Sequence, residues 1–351
     1  MRVIACALVI FNHLPGYLLF TIPGGSKQFL YMCLTMITRF NVPLFFMISG
    51  ALLFQKNEDF LCVLRKRFSR IVALLIVFDL LLVLITKINS LSSGSEYNIS
   101  IIDLLVGILK NTIPGSEPYW YLFSYLGILF ILPFLQRAAK NITRVEMISL
   151  LILHFLVSSL FPLINILCTY KGVDISVSIY GSFLVPFALE KPFFYTLLGY
   201  YLEYNVDVKK IKLPHICLLI ISAVIGVVLS NVCTILDYRI NGAYSQNYVQ
   251  LFDYVTTIVA FILIKYIYIV KIEKRTGDRF NRIICFMGSM TLGIYMLDPC
   301  FKLIFYEKFN SWASSFLPTL IVSIGWIVIS MVLGTICTAI LKRIPVIKKI
   351  I

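Results

Sequence analysis

The chain has 351 residues, 60% of them hydrophobic, and its 31 Lys and Arg outnumber its 17 Asp and Glu. A mean hydropathy of +0.92 excludes a soluble globular domain, because a water-soluble fold needs a polar exterior that this composition lacks. The formal net charge of +14 then reads as a membrane-topology signal, and nucleic acid is not an expected partner.

Ten apolar stretches of spanning length follow in chain order. They are residues 3–20, 29–54, 71–86, 119–135, 147–168, 179–202, 216–235, 251–270, 283–305 and 317–341. The sixth is interrupted by Glu190, Lys191 and Pro192. Basic residues concentrate on alternate loops, with 21 Lys and Arg on one side and six on the other. Cytoplasmic loops are the basic ones. The expected fold is therefore all-α: a polytopic membrane bundle of about ten transmembrane helices with both termini cytoplasmic. One integral-membrane domain over residues 1–351, with no appended soluble domain, is expected. The N-terminus does not read as a cleavable signal peptide, because it lacks a small-residue cleavage site and His13 and Pro15 interrupt its apolar run. Nine Cys and three His form no CxxC pair or cluster, so neither a metal site nor a disulfide framework is expected.

Against this apolar background a few polar residues stand out. Arg2 and His13 lie eleven residues apart, about three helical turns and roughly 16 Å along one face. That face has a cation at the membrane edge and a titratable base inside. Neutral imidazole suits general-base attack on a hydroxyl; a helix–helix hydrogen bond is the other reading. Arg39 precedes Asn41-Val42-Pro43-Leu44-Phe45-Phe46-Met47-Ile48-Ser49-Gly50. An intramembrane Arg needs a partner, water or an anionic ligand. Pro43 frees a backbone carbonyl and Ser49-Gly50 permits close approach, either to a ligand or merely to a packed helix.

Arg65, Lys66, Arg67 and Arg70 fall within six residues. Such a cluster suits a polyphosphate group such as that of coenzyme A, or it signals topology and contacts headgroups of membrane lipid. Tyr119-Trp120-Tyr121 fits an interfacial aromatic belt, or rings on which an acceptor sugar stacks. Asp298 lies deep in the ninth stretch, at a depth broadly comparable to His13, so an Asp–His pair is conceivable; Tyr295 is one turn away on the same face. Asp79 is a second intramembrane carboxylate without a motif, and His154 and His215 read as span-edge residues.

Together these elements resemble the acyltransferase-3 family of membrane O-acyltransferases, which acetylate surface polysaccharides. Arg2 with His13 matches its R-x10-H pattern. Residues 42–50, the basic run Arg65 to Arg70, Tyr119-Trp120-Tyr121-Leu122 and Leu292-Gly293-Ile294-Tyr295 match in order. The family often has a His where this chain has Pro118, and another after Gly-Ile-Tyr, where it has Leu297-Asp298-Pro299. It usually has several residues ahead of the motif Arg, where this chain has Met1 alone. The resemblance implies acetyl-CoA as cytoplasmic donor and a hydroxyl of a cell-surface or lipid-linked glycan as acceptor, in a bacterial inner membrane. It implies His13 as base or acyl-transfer residue, with Arg2 orienting the donor and Asp298 as carboxylate. Arg65, Lys66, Arg67 and Arg70 are implied for the donor phosphates, and Arg39, Ser49, Trp120 and Tyr295 for the substrate site. The competing class is a transporter or flippase for a lipid-linked glycan, with His13, Arg39 and Asp298 lining a polar path.

Overall fold

The computed structural model of the chain describes residues 1–13, 26–178, 191–245, 248, 250–272, 277–312 and 316–351. Among the described residues every regular element is helical. In chain order they are α1 (Arg2–His13), α2 (Ser26–Thr38), α3 (Asn41–Leu53), α4 (Phe60–Ser92), α5 (Ile101–Lys110), α6 (Trp120–Phe130) and α7 (Leu132–Asn141). Then come α8 (Arg144–Tyr170), α9 (Lys191–Asn205), α10 (Leu213–Asn241), α11 (Asp253–Val270), α12 (Asp278–Trp312), α13 (Phe316–Leu341) and α14 (Pro345–Ile350).

Among the described residues, seven helices are long and apolar enough to cross a membrane, or eight if a bent pair is one span. The ten expected stretches differ from these seven at three places. The first is a 12-residue helix, α1, and the rest of that stretch, residues 14–20, lies outside the described residues. So do residues 179–190 of the sixth, whose described part is α9. The fourth is the bent pair, broken by 75° after Phe130. Pro133 explains the break: it has no N–H for the carbonyl one turn back, and its ring clashes with that carbonyl.

Local chemistry fixes several helix ends. Asp59 starts α4 by accepting from the Leu61 amide. Thr143 and Glu146 form a reciprocal capping box at the start of α8, which satisfies two amides that no helical carbonyl reaches. Gly242 ends α10 at φ +71°, a left-handed conformation that costs a residue without Cβ nothing.

The chain forms two compact units. The described residues of Leu19–Asn57 and Phe134–Gly277 make the first. Its tightest contact is α3 on α9. A Cβ on Gly50 would lie 1.7 Å from the Thr196 carbonyl oxygen, and one on Gly199 would lie 2.1 Å from that of Met47. Backbones approach this closely in a bilayer only where a side chain is missing. Lys265 and Glu203 form an ion pair at 3.0 Å. The Tyr195 hydroxyl donates to buried Asp253 at 2.9 Å.

The described residues of Arg2–Leu18, Glu58–Pro133 and Asp278–Ile351 make the second unit. Here α12 is central, packed against α1, α4 and α13. Gly293 faces Thr338 and Gly334 faces Ile294, so α12 and α13 also meet over small residues. Ala5, Cys6, Val9 and Ile10 are buried on α1, at the spacing of one helix face.

Candidate active site

The site in the second unit is built on two helices that run in the same direction. The Cys6 thiol donates to the Thr291 carbonyl at 3.8 Å, and one face further along His13 meets Asp298. Both contacts join residues 285 apart in sequence, so α1 and α12 are parallel where they touch. Residues 6, 9 and 13 share a face by helical periodicity, and that face presents the imidazole to α12.

His13 Nδ1 lies 2.5 Å from Asp298 Oδ2. The Asp298 side chain is 2% exposed and that of His13 19%, so the carboxylate is enclosed while the ring keeps an accessible edge. Burial costs the carboxylate its hydration, and the imidazole is the partner that offsets this. The other carboxylate oxygen, Oδ1, has no hydrogen-bond partner among the described residues.

Tyrosines close the wall around the pair. The Tyr295 ring lies 6.3 Å from His13 between centroids, tilted by 48°, and its hydroxyl donates to the Pro118 carbonyl. The Tyr119 hydroxyl donates to the Met296 carbonyl at 2.8 Å. Tyr121 meets Tyr295 edge-on at 6.0 Å. These bonds tie the start of α6 to the middle of α12. Pro299 lies inside α12 and has no N–H to offer the Tyr295 carbonyl. Asp79 is completely buried, has no partner for either oxygen among the described residues, and lies within electrostatic reach of Tyr119.

The basic end is organised by α4. A widened, π-type turn over Leu64–Phe68 shifts the register of the residues that follow, a feature frequent at functional sites. Arg67 grips Glu58 with two bonds of 2.9 and 2.8 Å. Arg70 donates to the carbonyls of Ile350 and Ile351 at 3.0 and 2.8 Å. Arg2, Arg67 and Arg70 all lie within electrostatic reach of the Tyr125 hydroxyl. Lys342 lies within electrostatic reach of Arg70; burial first, and that neighbouring cation second, lower its pKa. Arg65 and Lys66 are exposed on the same turn.

The expected residues thus divide. His13, Asp298 and Tyr295 are brought together, and Arg2, Arg67 and Arg70 share electrostatic reach of Tyr125. Trp120 is 47% exposed; its neighbours Tyr119 and Tyr121 are the ones against Tyr295. Arg39 and Ser49 belong to the first unit. Arg39 lies within reach of Asp253, and the Ser49 hydroxyl donates to the Phe45 carbonyl one turn back at 2.8 Å. His154, read as a span-edge residue, is fully buried and stacks on Phe194 at 4.0 Å. Tyr125 was not singled out by the sequence. Its only signal there is the four-residue spacing from Tyr121.

Helices of this length and composition define a multi-pass membrane protein. The acyltransferase-3 family model, described as an acyltransferase domain, matches residues 1–343. The chain belongs to that family and is a membrane acyltransferase. No curated protein and no solved structure matches it.

Proposed function

We propose that this acyltransferase moves an acetyl group from cytoplasmic acetyl-CoA to a hydroxyl of a lipid-linked or cell-surface glycan at a bacterial inner membrane. The observation that supports this reading most is the His13–Asp298 contact of 2.5 Å. An ionised Asp298 accepts the Nδ1–H of His13, which leaves the Nε2 lone pair as base. The acceptor oxygen attacks the thioester carbonyl carbon as Nε2 takes the hydroxyl proton. Asp298 stabilises the imidazolium formed. The carbon–sulfur bond then breaks, and the proton passes from Nε2 to the departing thiolate. The products are an O-acetyl ester and the coenzyme A thiol.

The donor side rests on Arg2, Arg67 and Arg70, guanidinium groups that favour phosphate oxygens. They share electrostatic reach of one hydroxyl, and Arg2 stands about 16 Å along α1 from His13. Charge at one end and base at the other fit a donor with phosphates at one end and a thioester at the other. The parallel course of α1 and α12 agrees with both helices entering from the cytoplasm.

The test is mass analysis of surface glycans from cells with and without the chain. Expected is a mass increase of one acetyl group per repeat, absent with His13→Ala. Identical glycans in the two strains, with changed export, would instead favour a transporter.

A further inference from the structure

Between the arginines and the His13–Asp298 pair lies a continuous line of tyrosines that the chemistry above leaves unused. Tyr125 lies within electrostatic reach of Arg2, Arg67 and Arg70. Tyr121, one turn earlier on α6, stacks with Tyr125 at 6.2 Å and an interplanar angle of 15°. Tyr121 in turn meets Tyr295 at 6.0 Å, nearly perpendicular. Tyr295 stands against His13 at 6.3 Å. Successive ring centroids along the line are 6.0 to 6.3 Å apart, and its Tyr125 end is the one within electrostatic reach of the cations.

We propose that Tyr125 and Tyr121 wall the path of the donor's pantetheine arm and hold its thioester at His13; this rests on the donor reading above. The chemistry of the wall matches that arm. The arm is a flexible, uncharged chain of methylenes, a dimethyl carbon, one hydroxyl and two amides. Tyrosine rings offer it flat apolar faces, and their hydroxyls offer hydrogen bonds to its amides. Inside a membrane an amide without a partner costs several kcal/mol, so a phenol beside the path has a function that Leu lacks. A wall already in place does not have to be ordered when the chain binds, which lowers the cost of binding. Tyr125 belongs to the phosphate end and Tyr121 to the thioester end, and the two residues therefore act on different parts of one donor.

The experiment measures affinities of the purified full-length protein for three probes. They are acetyl-CoA, acetyl-pantetheine (the arm without nucleotide) and adenosine 3′,5′-bisphosphate (phosphates without the arm). Tyr121→Leu is expected to weaken acetyl-CoA and acetyl-pantetheine alike by about tenfold, and Tyr125→Leu to weaken acetyl-CoA by a similar factor. Both variants keep wild-type affinity for the bisphosphate. Tyr121→Phe and Tyr125→Phe, which retain the ring, keep part of the lost affinity. A wild-type protein that binds acetyl-CoA, with both Leu variants binding it equally well, overturns the tyrosine path alone. Equal weakening of the bisphosphate also overturns it, because the effect is then on the cations or the fold. A wild-type protein that binds none of the three removes the donor reading and the path together.

Discussion

Asp298 is the residue whose setting most constrains the chemistry. At 2% exposure its carboxylate gains from a close partner that offsets lost hydration, and His13 is that partner. The two act as one unit, so their substitutions are not additive. His13→Ala and Asp298→Asn are each expected to lower the acyl-transfer rate by about 10²- to 10⁴-fold. The double variant is expected to be no slower than His13→Ala alone. Rates that multiply in the double variant would show that the contact has no part in the reaction. At the basic end the residues separate by contact: Arg67 is held by Glu58, Arg70 by the Ile350 and Ile351 carbonyls, and both lie within electrostatic reach of Tyr125. Arg67→Gln and Arg70→Gln are expected to raise the donor KM about tenfold each, since a charge-assisted phosphate bond contributes roughly that much. Arg65→Gln, exposed like Arg70 but without its bonds to the Ile350 and Ile351 carbonyls, is expected to leave it within twofold, on the scale of surface substitutions. An equal effect at all three positions would return the cluster to general membrane attraction.

Helix α3 lies so close to α9 that no side chain fits at two positions. Gly50→Val and Gly199→Val would drive a Cβ into backbone carbonyl groups at 1.7 and 2.1 Å. Backbone cannot swing away as a flexible side chain does, so each change is expected to destabilise by about 3 kcal/mol or more. Thermal unfolding of the detergent-solubilised protein measures this. Gly288→Ala is the control: a Cβ there meets nothing within 4 Å, and the midpoint is expected to stay or rise slightly, because Ala favours helix by up to about 1 kcal/mol. A Val variant at Gly50 as stable as the parent would mean that the two helices do not pack as described. The same element scale explains α6 and α7. Hydropathy runs continuously through residues 119–135, so it reads as one span, whereas the 75° bend arises from backbone chemistry at Pro133.

At the scale of the whole molecule, the charge on alternate loops predicts the orientation. The basic loops alternate with the spans, and the parallel contact of α1 with α12 requires the two helices to enter from the same side. A reporter fused at Ser95 is expected outside and one fused at Asp278 inside, read by an enzyme active in only one compartment. The opposite result would invert the topology and remove the cytoplasmic donor site. The two compact units also sort the polar residues. One contains His13, Asp298, Arg2 and the tyrosine line; the other contains Arg39, Ser49 and the Tyr195–Asp253 pair.

By itself the sequence determined the membrane class, most of the long helices and the family motifs, because hydropathy, charge on alternate loops and short motifs are local properties of the chain. Periodicity also placed Arg2 with His13 on one face of α1, and Tyr295 with Asp298 on one face of α12. Which of these faces meet is a property of packing. Only the tertiary structure set Asp298 against His13, 285 residues apart. It turned Tyr121 toward Tyr295 while leaving Trp120 exposed, and it put Arg39 in a different unit from the imidazole. Apolar stretches in a bilayer have no strong preference for one neighbour over another. Small residues, buried hydrogen bonds and a few ion pairs decide which helices pair, and those become legible only once the partners are side by side.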